Sequence, residues 1–409
     1  MFDIFLFHSV PYLPGEIMKI IISGSGYPEK RNIITNPHHQ YIDCRKKNIY
    51  FYLNAVRSRL LHKNKQFIFY PLPGLLPHSA DVIHLFNEVA HTKRNWIATF
   101  ETEIPRVLPV PGMEKTANPD LHSQLALIAR DECLYLIAIS QATFNIQLKL
   151  LEAFPAIKAA AAHKLRILHP PQPLLCVKPR LISPGKIHFT FVGSEFYRKG
   201  GAEVVLAISQ LTEEDVFTRS QIQVTLIGDL SQRHNIAHRQ FQDDEAFYTR
   251  IEHLINTSPH IQHFSALPNH QVLALLQRTH VGLLPTWQDT YGFSVLEMQA
   301  SGCPVITTNV RALPEINPAG AGWLIQQPLN DEHEYVIDSE ERKKDIRHQI
   351  VQQLKGHIVD ILRNPGLITQ YSAQSLQRIA EHHDPVKFSE QMVRFYASSK
   401  QTHYTAAFK

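Results

Sequence analysis

Residues 283–310, LLPTWQDTYGFSVLEMQASGCPVITTNV, read as a buried strand, a turn, a buried helix and a second strand. That order is the repeating unit of a parallel α/β sheet. Two carboxylates interrupt it, Asp289 in the turn and Glu297 inside the apolar part of the helix. Leucine would stabilise a core helix at such a position, whereas a carboxylate there is strongly unfavourable unless something pairs with it. The pattern therefore places a polar ligand beside the helix.

Working outward, the same alternation fills both halves of the chain. Strand patterns at 187–194 (IHFTFVGS), 221–229 (QIQVTLIGD), 261–267 (IQHFSAL) and 281–286 (VGLLPT) alternate with helical ones at 199–211, 247–258 and 269–279. In the first half, strand patterns fall at 18–26 (MKIIISGSG), 66–72 (QFIFYPL), 81–87 (DVIHLFN), 95–101 (NWIATFE) and 134–140 (LYLIAIS). Several are apolar without a break, as strands covered on both faces are. Residues 168–186 hold five prolines and read as an irregular connection. The spacing predicts a long amphipathic helix through Ile346, Ile350, Leu354, Ile358 and Ile361, stopped at Asn364-Pro365-Gly366. The expected fold is α/β, with two Rossmann-like doubly wound domains facing a cleft, the default place for a ligand. The boundaries are 1–178 and 179–380, with 381–409 forming a helix that crosses back and a tail. Residues 1–17 are either an upstream extension or, through FDIFLFHSV, strand one.

Composition narrows the function. A chain of 409 residues, 44% hydrophobic and 19% charged, has ample core for two domains. Its net charge of +4 does not argue for a nucleic-acid partner. The 24 histidines are scattered without metal-ligand spacing, and Cys44, Cys133, Cys176 and Cys303 form no C-x-x-C. No metal site is expected, and the cysteine usage fits a reducing cytoplasm. The apolar start, MFDIFLFHSV, lacks the basic flank and cleavage site of a signal peptide, and no run of about 18 apolar residues follows.

A second motif converges with the first. FVGSEFYRKGGAEVV, residues 191–205, is a strand, a glycine-containing loop around Gly193 and Ser194, and a helix start. Arg198 and Lys199 stand before that helix, where the helix dipole disfavours cations. An anion such as a diphosphate resolves the conflict, since helix N-termini present unpaired N–H groups. A solvated basic turn is the plainer alternative. In DTYGFS, Gly292 admits a close approach of backbone, and the N–H groups of Phe293 and Ser294 head the next helix. With the helix starting near Phe293, Glu297 lies one turn in, and its carboxylate can accept two hydroxyl hydrogen bonds from a sugar or ribose.

The D-x7-E pair followed by MQASGCPVITTNVRALPEI resembles the E-x7-E region of retaining glycosyltransferases of family 4, also called group 1, which have the GT-B fold. FVGSEFYRKGGAEVVLAI is similar to their F-V-G-R-x4-K-G segment, and the resemblance spans residues 187–324 with its motifs in order. It implies a UDP- or GDP-sugar donor as substrate, with no obligatory cofactor. Glu297 would hold the ribose hydroxyls, Asp289 would approach the sugar near the reacting carbon, and Lys199 would pair with the diphosphate. Gly193, Ser194, Tyr291, Gly292, Phe293 and Ser294 would border the phosphates, and Gly228, Phe264 and Leu267 the base. Two departures stand out. Ser194 replaces the family's arginine, a cation that the neighbouring Arg198 would have to supply, and Asp289 is one methylene shorter than the family's glutamate. Where the family often has a histidine in its first domain, this chain has Glu101.

The resemblance implies transfer to a hydroxyl of a glycan or lipid-linked acceptor, with retention and without a metal. A GT-B module that binds without catalysis and a nucleotide-sugar epimerase are the rival readings. Acceptor contacts would come from polar strand ends in the first half, His84, Asn87, Glu101 and Ser140. The segment 45–65, RKKNIYFYLNAVRSRLLHKNK, carries an apolar helical face inside a basic surround. It is either an ordinary helix facing a core or a peripheral contact for anionic lipid at the inner face of the plasma membrane.

Overall fold

The computed structural model describes residues 17–182, 185–217 and 221–406. The FDIFLFHSV strand considered above lies outside these. The described residues divide into two compact units, one of residues 17–171 and 383–406, the other within residues 172–382.

In the first unit six strands form a wholly parallel sheet: β1 (Lys19–Ile22), β2 (Gln40–Asp43), β4 (Val82–Phe86), β6 (Trp96–Phe100), β7 (Cys133–Ala138) and β8 (Leu165–Ile167). Their order is β2-β1-β4-β6-β7-β8. A separate parallel pair joins β3 (Ile68–Phe69) to β5 (Val89–Ala90). Residues 66–72 were expected to add a full strand to the main sheet. Pro71 and Pro73 remove the backbone donors that a longer ladder needs. Helices α1 (Tyr27–Asn32), α2 (Ile49–Arg59), α3 (Pro119–Ala129), α4 (Gln141–Glu152) and α5 (Pro155–Ala161) connect the strands.

The second unit repeats the design with β9 (Ile187–Glu195), β10 (Ile222–Asp229), β11 (Ile261–Phe264), β12 (Val281–Leu284), β13 (Val305–Thr308) and β14 (Trp323–Ile325). Its parallel order is β11-β10-β9-β12-β13-β14, so β9 is central and the sequence reverses direction beside it. Ligands in doubly wound sheets bind at the carboxyl ends of strands at such a reversal. The helices are α6 (Gly201–Glu213), α7 (Glu245–Thr257), α8 (Asn269–Leu276), α9 (Phe293–Ala300), α10 (Leu313–Ile316), α11 (Glu340–Arg363) and α12 (Gly366–His382). The final helix, α13 (Pro385–Ala406), belongs to the first unit.

The unbroken apolar run in β1 follows from coverage on both faces. Ile21 enters a core with Leu121, Leu125, Ile128 and Leu151. Ile20 and Ile22 enter a second core with Phe388, Met392, Phe395 and Tyr396 of α13. The three isoleucines of this strand therefore alternate between the two faces.

Two residues expected to meet an acceptor turn out to be structural. His84, the middle residue of β4, is wholly buried on the α13 side. Its Nδ1 lies 2.8 Å from Tyr396 Oη and its Nε2 2.8 Å from Thr99 Oγ1, so both ring nitrogens are used. Ser140, also wholly buried, caps α4: its hydroxyl accepts the Thr143 N–H at 3.0 Å. A polar residue at or near a strand end can serve the fold as readily as a ligand.

Burial pushes the His84 ring down to about 3. An exposed imidazole in the unfolded chain titrates near 6.5, so between about 6.5 and 3 the unfolded state binds the extra proton and stability falls as pH falls. His84→Gln should remove this slope, worth at most about 1.4 kcal/mol per pH unit. Urea unfolding of both proteins between pH 7 and 4.5 checks it, and parallel stability curves would show that His84 does not titrate this way.

One helix departs from the pattern. α2 has no fully buried residue and touches the core only through half-buried Tyr50 at its start, so most of its apolar residues do not face the core as an ordinary amphipathic helix would have them do.

Candidate functional site

The motif 191–205 folds as β9, a turn over residues 196–200, and α6. Gly193 does not make the turn but lies within β9. A Cβ there would come within 2.6 Å of Lys199 Cβ, so the glycine lets the lysine stem cross the strand end. Gly228, at the end of β10, is needed for a similar reason, since a Cβ would lie 2.4 Å from Gly193 O. Gly200 starts α6 with φ of 88°, and a Cβ there would sit 2.1 Å from Pro285 O. Only glycine brings the head of α6 against the strand end that precedes the Asp289 turn.

Lys199 then reaches Asp289. Its Nζ lies 2.6 Å from Asp289 Oδ2, with the two side chains 15% and 12% exposed. The other carboxylate oxygen accepts N–H bonds from Gly292 at 3.1 Å and Tyr291 at 3.3 Å. Burial drives the Asp289 carboxyl upward, but the Lys199 ammonium outweighs it and holds the group ionised below its usual range. Burial lowers the lysine despite its partner. An ammonium has three donors, of which Asp289 takes one.

Gly292, with φ of 97°, begins α9, where a Cβ would meet Leu313 Cδ2 at 2.6 Å. The N-termini of α6 and α9 are thus tied to one ion pair, one through Lys199 and the other through Asp289. The first N–H groups of each helix have no acceptor within it. Glu297 is the fifth residue of α9 and half-buried, while its neighbours Val295, Leu296, Met298 and Gln299 are buried.

Arg198 is already engaged. Its guanidinium pairs with Glu195 Oε2 and donates to Gln288 O at 2.8 Å. Ser194 is exposed at the end of β9, and Phe264 and Leu267 are half-buried at the end of β11 and beyond. The Tyr291 side chain, expected at the donor, is fully buried and packs against Phe293 with ring centroids 5.2 Å apart. In the first unit, Asn87 Nδ2 donates to Glu101 Oε1 at 3.1 Å, and Asn87 Oδ1 accepts the Glu101 N–H at 3.0 Å. These two of the four acceptor candidates come together at the ends of β4 and β6; Ser140 reaches Glu101 only through the Thr143 hydroxyl, which donates to Glu101 O at 2.9 Å, and His84 faces α13 instead.

Several groups escaped the sequence reading. Glu195 neutralises Arg198, and next to Asn87 the carboxyl of Glu88 is pushed up to about 7 by burial, its Oε2 enclosed and without a hydrogen-bond partner. Beneath α6 lies a buried ionic cluster. Arg347 of α11 donates to Glu203 at 2.9 Å and to both Asp243 oxygens at 2.9 and 2.7 Å, and Lys343 lies 3.0 Å from Asp243. No local spacing links positions 203, 243, 343 and 347. An acid in the first turn of a helix, as Glu203 is, ordinarily needs only the helix dipole to explain it.

Residues 177–355 match the family model of Glycosyl transferases group 1. This segment, less than half of the chain, is similar to the group 1 glycosyltransferases. Over 143 residues, 35% of its length, the chain is 26% identical to glycogen synthase of Mycobacterium tuberculosis, and the match covers 30% of that protein. Among solved structures it is similar to HepE of Anabaena, solved in complex with UDP and glucose, at 12% identity and a TM-score of 0.56, covering 94% of this chain and 100% of that one. Sucrose-phosphate synthase from Thermosynechococcus elongatus gives 16% and 0.53, covering 90% and 82%. A glycosyltransferase from Rickettsia africae gives 15% and 0.55, covering 93% and 90%. At such identities the structural likeness shows the fold, which is GT-B.

Proposed function

We propose that this chain transfers a sugar from a UDP- or GDP-sugar to a hydroxyl of a glycan or lipid-linked acceptor, with retention of configuration. The observation that carries the reading is the Lys199–Asp289 pair joined to the heads of two helices, with half-buried Glu297 one turn along the second. A nucleoside diphosphate leaves with growing negative charge, and a lysine together with preorganised N–H groups stabilises that charge. The cations this reading needs are the protein's own, so it invokes no metal. Glu297 accepts two ribose hydroxyls, and Asp289 keeps Lys199 oriented while its own position fits the sugar. Phe293 and Ser294 offer their N–H groups to the phosphates. Gly228, Phe264 and Leu267 border the base, with Ser194 at the edge of the same strand ends. Asn87 and Glu101 serve the acceptor.

The match to glycogen synthase and the UDP and glucose held by HepE support a nucleotide-sugar donor. One observation favours a second reading, binding without transfer: Arg198, the stand-in for the family arginine, is occupied by Glu195 and Gln288. Incubation with a panel of UDP- and GDP-sugars, followed by chromatography for released nucleoside diphosphate, separates the two. Slow release from one sugar nucleotide is expected. Binding without release supports the second reading, and neither binding nor release contradicts both.

A further inference from the structure

The helix α2 is held to its unit by the wrong side for an ordinary amphipathic helix. Its polar residues make the anchors. Asn48 caps the helix, accepting the Tyr50 N–H at 3.0 Å, and donates to Ile68 O at 2.9 Å. Asn54 donates to Gln66 O and accepts the Gln66 N–H, each at 2.9 Å. Arg57 donates to Asn64 O at 2.9 Å and pairs with Asp120 at 2.8 Å. Tyr50, Asn54 and Arg57 follow one another a turn apart, so the inward stripe is half-buried Tyr50, packed against the core, continued by two polar anchors.

The apolar stripe points away. Tyr52, Leu53, Val56 and Leu60, spaced by three or four, are 53%, 42%, 44% and 72% exposed, and Phe51 and Leu61 beside them are exposed as well. Scattered single hydrophobes on a surface need no explanation, but a contiguous stripe along one helix does. Folding in water favours the opposite orientation, with polar groups out and leucines in. The basic surround adds an independent constraint. From Cys44 to Lys65 the chain has Arg45, Lys46, Lys47, Arg57, Arg59, Lys63 and Lys65 and no acid. Of these, Arg45, Lys46, Arg59, Lys63 and Lys65 are exposed, whereas Arg57 is committed to Asp120. An apolar stripe rimmed by uncompensated cations matches a surface that is greasy within and negative at its boundary.

We propose that α2 and its flanks lie on an anionic lipid bilayer, with Tyr52, Leu53, Val56 and Leu60 entering the acyl boundary and the exposed lysines and arginines meeting the headgroups. A folded protein partner would need a complementary acidic groove. A second copy of this chain would set the cations of one α2 against those of the other. The helix is too short and too charged to span; it rests in the plane of the interface, and among the described residues no helix is long and apolar enough to cross a membrane. The proposal stands on the geometry of α2 alone and does not depend on the transfer reaction.

Co-sedimentation of the full chain with phosphatidylcholine vesicles containing about 30% phosphatidylglycerol tests it, against vesicles of phosphatidylcholine only. Binding to the anionic vesicles and at least tenfold less to the neutral ones is expected. Lys46→Ala/Arg59→Ala/Lys63→Ala should weaken binding about 100-fold, at roughly fivefold per charge. Leu53→Glu/Val56→Glu should abolish it while leaving the thermal midpoint unchanged, because both side chains already face water. A wild-type protein that stays in the supernatant overturns the proposal. So does binding that the charge variant loses and the Leu53/Val56 variant keeps, which is the behaviour of a general polyanion site. A dimer by light scattering that Leu53→Glu/Val56→Glu converts to monomer likewise overturns it, assigning the face to a second copy.

Discussion

Lys199→Ala is expected to slow nucleoside diphosphate release about 10²–10³-fold with whichever sugar nucleotide the wild-type protein turns over, the scale seen when one preorganised charge-stabilising donor is removed. The loss should fall on kcat more than on KM. Charge on the leaving diphosphate grows as the glycosidic bond breaks, so the lysine is worth most in the transition state. A structural objection is built into this variant, because it leaves Asp289 buried beside no ammonium. The double variant Lys199→Met/Asp289→Asn answers it by removing both charges while keeping the side-chain volumes. Equal loss of transfer in the two variants, with the thermal midpoint recovered in the second, assigns the effect to chemistry. A Lys199→Ala rate within threefold of wild type would remove the lysine from the reaction.

The second large effect concerns stability. Arg347→Met should destabilise the second unit by about 3–5 kcal/mol, the usual result of deleting one partner from a buried ionic cluster. Arg347 is the shared member of this one: it serves Glu203, which is wholly buried, and both oxygens of Asp243. It also lies over the Phe247 ring at 4.2 Å and the Trp287 ring at 5.5 Å. Methionine could fill part of the space but would leave wholly buried Glu203 without a cation, while Asp243 keeps Lys343 at 3.0 Å. Burial already raises the Glu203 carboxyl, so without the guanidinium this group would take up a proton more readily still. Urea unfolding at pH 7 measures the loss, and the deficit should shrink toward pH 5 as the stranded Glu203 protonates. A change below about 1 kcal/mol would mean that water or rearrangement satisfies the cluster, contrary to the packing described.

The parts of the fold that could be read from sequence were those fixed by local rules. Strands β4, β6, β7, β9, β10 and β12 are largely buried, so β7 and β12 show as unbroken apolar runs and the other four as apolar runs interrupted by single polar residues. β2 at the sheet edge, with its QYID sequence half exposed, carries neither an apolar run nor a clean alternation and was not legible. In the site, the glycines, Lys199 and Asp289 stood out because their chemistry conflicts with the local structure that holds them. His84 was misread for the reverse reason. Its polar atoms look available in sequence but are enclosed by partners distant in the chain, Tyr396 from α13 and Thr99 from β6. The ionic cluster under α6 was invisible for the same cause, since only tertiary packing brings residues 203, 243, 343 and 347 together. α2 shows the limit most plainly: its periodicity marks which residues share a face, but only the folded unit shows which face is turned inward.

The central claim is that Glu297, half-buried one turn into the apolar helix α9, exists to hold the sugar carrier's ribose. Calorimetric titration of UDP and of GDP into the wild-type protein and into Glu297→Ala addresses it most directly. A dissociation constant between micromolar and millimolar is predicted for one nucleotide, weakened at least about tenfold in the variant, whose thermal unfolding in the absence of nucleotide stays near wild type. Equal affinity in the two proteins, or no heat with either nucleotide, would contradict it.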